Sequence, residues 1–86
     1  MNPVKVYVGQ LGTTQWEIWP SFPYNATLDQ LASLWKMKGM TAVVEWKGEE
    51  GGHTGGTQLH TLVGKCIKLY TSRSDVTDRY YVVHFE

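Results

Sequence analysis

The chain is predicted to be an α+β domain in which a single helix packs on a mostly antiparallel sheet of four or five strands. Three observations carry this reading. One segment, residues 28–38, has an apolar stripe at helical spacing framed by start and stop signals. Five others are short, rich in β-branched and aromatic residues and bounded by turn chemistry. The length of 86 residues suits one domain, 1–86, with no room for a second.

Val4-Lys5-Val6-Tyr7-Val8 alternates with period two and predicts the first strand. Gly9 to Thr14 carries turn residues, and Gln15-Trp16-Glu17-Ile18-Trp19 predicts a returning strand, so the two form a hairpin with a long connection. Pro20 and Pro23, around Ser21 and Phe22, interrupt regular structure. Thr27 followed by Leu28-Asp29-Gln30 has the form of a capping box, in which hydroxyl and amide each satisfy an orphan backbone N–H. Leu28, Leu31, Ala32 and Trp35 then recur at i, i+3, i+4 and i+7. Asp29 in the first turn and Lys36 and Lys38 in the last suit the helix dipole, and Gly39 suits a left-handed terminating residue.

Met40 to Trp46 predicts a strand. Residues 48–56, Gly-Glu-Glu-Gly-Gly-His-Thr-Gly-Gly, are expected to hold no regular structure and to form a mobile connection. Thr57 to Val63 fits either extended chain or a short helical turn. Lys65 to Thr71 predicts a strand, Ser72 to Asp78 a turn region, and Arg79 to Phe85 a closing strand. The order β-β-α-β-β-β is similar to the element order of β-grasp folds, a resemblance of order alone. An open α+β sheet or a partly closed small barrel fits the same order.

Leu, Ile, Val and Phe make up 20 of the 86 residues and the net charge is zero, which excludes a disordered chain. Eight basic and eight acidic residues cancel, leaving no long-range field to gather phosphates or an anionic membrane. The same balance removes self-repulsion and is compatible with a homodimer. Cys66, the single cysteine, has no partner for an internal disulfide. No apolar segment follows the N-terminus and no apolar run reaches membrane-span length, so a cytoplasmic protein without a membrane partner is expected. The glycosylation sequon Asn25-Ala26-Thr27 then has no access to that modification.

The residues that carry chemistry elsewhere are sparse here. His53, His60 and His84 lack the paired short spacings of a zinc site, so neither metal nor cofactor is expected. The glycine segment at 51–56 resembles an anion-cradling loop in composition. It lacks the Lys-Ser/Thr of a P-loop, and Glu49 and Glu50 oppose phosphate. Cys66 has no histidine near it in sequence and is expected to be a buried small hydrophobe. Glu17 and Glu45 would form an acid–base pair only if their strands were adjacent. The expectation is a protein that is not an enzyme.

Aromatic residues carry the binding expectation. In the second strand Trp16 and Ile18 share one face, Glu17 and Trp19 the other, and one helix covers only one face of a sheet. Trp19, Phe22 and Tyr24, with Tyr7 and Tyr81 on the uncovered face and His53 in the glycine segment, are the expected contacts for a protein partner. The competing reading folds Phe22 and Tyr24 back over the helix N-terminus. A nucleic-acid alternative rests on Lys65, Lys68, Tyr70, Arg73 and Arg79, near Tyr80 and Tyr81. Across residues 65–79 its four bases, less Asp75 and Asp78, leave a charge of only +2. The expected function is therefore protein binding by a small inhibitor or adaptor, of the kind phages and plasmids encode. Single-stranded nucleic acid is the alternative partner.

Overall fold

The computed structural model of the chain describes residues 2–10, 15–39, 43–49, 51–71 and 80–86. In these, strands β1 (Val4–Gln10) and β2 (Glu17–Phe22) precede helix α1 (Leu28–Met37). Strands β3 (Val43–Gly48) and β4 (Gly51–His53), a 3-10 turn (Leu59–Leu62), β5 (Cys66–Thr71) and β6 (Tyr81–Phe85) follow. The strands form one sheet in the order β2-β1-β6-β5-β3-β4. Every pairing is antiparallel, and the first and last strands lie side by side as the second and third of the six.

The α+β class and the single helix agree with the sequence; the sheet has one strand more than expected. The addition is β4, inside the glycine segment that was expected to hold no regular structure. Gly48 pairs with Gly51, so only Glu49 and Glu50 separate the paired positions of a tight hairpin. Gly51 adopts φ 129°, which residues with a Cβ rarely tolerate. Glycine here closes a hairpin instead of loosening a loop. The Thr57 to Val63 ambiguity resolves as the 3-10 turn, with Leu59 and Leu62 buried.

Helix α1 ends as its signals predict. Thr27 is the N-cap of a capping box, its N–H donating to Gln30 Oε1 at 2.8 Å. Gly39 takes φ 77° beyond the last turn and donates to the Lys36 carbonyl. The N–H groups of Leu28 and Asp29 donate to the carbonyls of Thr57 and Gly55 at 3.0 and 2.9 Å. The glycine segment thus supplies acceptors to the helix start, and these donors are not turned to an anion.

The core lies between α1, the 3-10 turn and one face of the sheet. Val4, Val6 and Val8 of β1 meet Trp19, Trp46, Ile67, Leu69, Val83 and Phe85 from other strands and Leu28, Leu31 and Trp35 from the helix. Trp19 and Trp35 stand 5.0 Å apart between ring centroids, and Tyr81 meets Trp35 edge-on at 4.8 Å. Lys38 closes this aromatic row. Its ammonium lies 4.6 Å from the Trp19 ring centre and 3.4 Å from the Glu17 carboxylate.

Candidate binding face of the sheet

With α1 on one side, strand alternation sends every second side chain to the other, and no described helix covers that face. Cross-strand registers place the residues that share it. Tyr7 sits opposite Ile18 on β2 and His84 on β6. His84 sits opposite Cys66, and Val82 opposite Lys68. Lys68 also faces Lys47, and Tyr70 faces Glu45. At one side of the face are the two exposed apolar residues Ile18, 75% accessible, and Trp16, 42% accessible. Tyr7, Trp16, Ile18, His84 and Glu86 line a shallow recess of about 400 Å³ there.

The predicted contact residues are distributed differently from expectation. Trp19 is buried, 3% accessible, because it points to the helix side and packs on Trp35. Its exposed counterparts are Trp16 and Ile18. The alternation of β2 is as the sequence predicts, and the helix covers the face that carries Trp19. Phe22 is half-buried against the core as the last residue of β2, paired with Val4. Tyr24 is exposed and stacks flat on His60 of the 3-10 turn, with centroids 4.2 Å apart. Tyr7 stands on the uncovered face, but Tyr81 is turned to the core side against Trp35. His53 is half-buried at the β3–β4 hairpin, opposite Trp46.

Part of the basic-aromatic group assembles. Tyr70 and Tyr80 have ring centroids 5.4 Å apart, and the Lys68 ammonium lies 4.9 Å from the Tyr80 ring centre. Lys65 precedes β5 and lies in another recess, at the end of the sheet. Arg73 and Arg79 lie outside the described residues. Glu17 and Glu45 are not neighbours: three strands separate β2 from β3, and Glu17 instead meets Lys38.

The largest departure concerns Cys66. It is exposed, not buried, and its Sγ lies 3.2 Å from Nδ1 of His84. The other ring nitrogen of His84, Nε2, is 3.4 Å from Glu86 Oε1. Eighteen residues separate Cys66 from His84, so only the β5–β6 register brings them together. The sequence signal was alternation itself, which puts Cys66 and His84 on non-core positions of two neighbouring strands. Glu86 also acts on Tyr7: its hydrogen bond to the phenol, with partial burial and its negative charge, holds that group above its ordinary pKa.

No family model, curated protein or solved structure matches this chain. Among the described residues, no group of three His, Cys, Asp or Glu side chains is placed to hold a metal ion. No described helix is long and apolar enough to cross a membrane.

Proposed function

We propose that this protein is a small binding protein of the inhibitor or adaptor type, and that it engages another protein through the uncovered face of its sheet. The observation that supports this is the exposure of Ile18 and Trp16 beside Tyr7 on a face without a covering helix. Large apolar side chains standing together in water are costly unless a partner covers them, and Trp and Tyr are frequent anchors in such contacts. Strand β2 is also an edge of the sheet, with Pro20 on it removing one backbone donor. The contact therefore rests on side chains and not on strand addition along the whole edge.

The test is a photo-crosslinker at position 18 in cells of the source organism, compared with the same probe at exposed Asp29 on the helix side. A discrete protein adduct formed from position 18 alone supports the reading. Equal labelling from both positions overturns it.

A second reading, single-stranded nucleic acid, is favoured by the corner where Lys68 reaches the Tyr80 ring and Tyr70 lies beside it. Cations mixed with stacking rings suit a flexible strand. It stands second because Glu45 and Glu86 share that face with Lys47 and Lys68 and dilute its charge.

A further inference from the structure

We propose that Cys66 is a reactive thiol that exchanges with small disulfides, with His84 as its base and Glu86 as the residue that positions His84. The three groups stand in the order that nucleophilic chemistry requires: a nucleophile within reach of a base, and the base held from its far side by a third group. Sγ of Cys66 lies 3.2 Å from Nδ1, and the Nε2 side of the ring faces the Glu86 carboxylate at 3.4 Å. That carboxylate favours the tautomer with its proton on Nε2, which leaves the Nδ1 lone pair for the thiol proton.

The surroundings select the reaction. Acyl transfer needs backbone donors beside the nucleophile to hold an oxyanion. The two N–H groups that precede Cys66 are already engaged, Gly64 with the Phe85 carbonyl at 2.8 Å and Lys65 with the Leu62 carbonyl at 2.9 Å. Attack on a disulfide develops no oxyanion and needs only a thiolate with a clear approach. The approach exists: Cys66 lines a recess of about 390 Å³ at the end of the sheet, with Lys65, Ile67, Glu49 and His53 on its walls. Lys65 offers a cation to the carboxylates of a small thiol such as glutathione.

In the step, His84 Nδ1 takes the thiol proton and Sγ attacks one sulfur of the disulfide. A new S–S bond forms, the old one breaks, and the departing thiolate takes up a proton. Electrons balance within the disulfide exchange, so no further oxidant enters. Cys66 is the chain's single cysteine, so no second thiol of the chain resolves the mixed disulfide, which lasts until an external thiol reverses the exchange. The result is a stoichiometric modification site whose base, His84, and positioning residue, Glu86, also line the recess beside Tyr7 and Ile18 on the uncovered face.

The test uses the folded protein with an aromatic disulfide (5,5′-dithiobis-2-nitrobenzoate) and with oxidised glutathione, against the same chain unfolded in denaturant. The folded thiol should react at least about tenfold faster at neutral pH, a floor below the roughly 100-fold or more that a well-positioned base supplies. His84→Gln should bring the rate down to that of the unfolded chain and alter the pH–rate profile. Glu86→Gln, at an exposed position, should slow the reaction partly, and Glu86→Asp should restore it. The profile is read with Lys65 just before β5, Lys68 on it, Glu49 and His53 across the recess, Lys47 on β3 and Tyr7 on β1 as the other charged or titratable groups nearby. Mass spectrometry should find one glutathione on Cys66 and none on Cys66→Ser. A folded thiol no faster than the unfolded one, a rate indifferent to Glu86→Gln, or no glutathione adduct overturns the proposal. Should His84→Gln fail to fold, the Glu86 variants and the folded-to-unfolded rate ratio decide it.

Discussion

Trp19 of β2 and Trp35 of α1 lie with ring centroids 5.0 Å apart, and this contact decides which face of the sheet is the core. Once Trp19 turns inward, alternation turns Trp16 and Ile18 outward. Core and candidate binding surface are thus two consequences of one packing choice.

Trp19→Ala and Trp35→Ala should each destabilise the fold by about 3–5 kcal/mol, the usual cost of emptying a buried aromatic site. Ile18→Ser should change stability by no more than about 0.5 kcal/mol, since its side chain stands in water. Urea denaturation of the three variants checks both statements. A large loss from Ile18→Ser would show that the outer face is packed against something in the free protein.

The same outward residues should control partner binding. Ile18→Ser combined with Trp16→Ala should lower affinity for a crosslinked partner by about tenfold or more, or at least 1.4 kcal/mol, as loss of anchor residues does. Its melting curve should be nearly that of the unaltered chain. Calorimetry or surface resonance with the identified partner gives the measurement, and undiminished affinity would move the contact elsewhere.

Lys68→Ala separates the two binding readings. If nucleic acid is the partner, this change should weaken binding to an oligothymidylate and reduce the dependence of log K on log salt by about 0.7, the single-strand value per lost phosphate contact. Anisotropy titrations at several salt concentrations measure that slope. No binding at low salt would leave the protein partner as the sole reading.

Tyr7 should titrate above the ordinary tyrosine value of 10.0, because the Glu86 carboxylate accepts its hydrogen bond and repels the phenolate. A folded-state pKa above the unfolded one means that the folded chain retains its proton more firmly. The associated stability is fully present below about pH 10 and is lost as pH rises through the folded value. Ultraviolet titration of the phenolate should show a late-ionising tyrosine that returns toward its ordinary value in Glu86→Gln.

Gly51→Ala probes the unexpected strand. At φ 129° a Cβ is strained even though no atom crowds it, so the hairpin should lose about 1–2 kcal/mol. Hydrogen exchange should report the loss first at the amides shared by β3 and β4. Unchanged protection there would show that the glycine conformation is not required.

Much of this protein is written in local chemistry. Helix α1 was legible to within a residue because its information is contiguous: a capping pair three residues apart, a stripe repeating every three or four residues, and a glycine at the end. Strands β1, β5 and β6 were legible for the same reason, since period-two alternation and turn residues act over a few positions, whereas β2 runs on through Pro20 to Phe22, past the break that its prolines predict, because an edge strand tolerates a missing N–H. Strand β4 was not, because three residues with two glycines carry no alternation; the pairing of Gly48 with Gly51 makes it a strand.

The sequence by itself therefore determined the class, the helix and which side chains of each strand share a face. Only the tertiary structure decided which of those faces the helix covers, and so whether Trp19 or Ile18 meets water. It also decided the strand order, which parts Glu17 from Glu45 and joins Cys66 to His84 across eighteen residues. The physical reason is that alternation has two faces and no sign. The sign comes from burial against α1, and the neighbours from long-range pairing, neither of which a short window of residues contains.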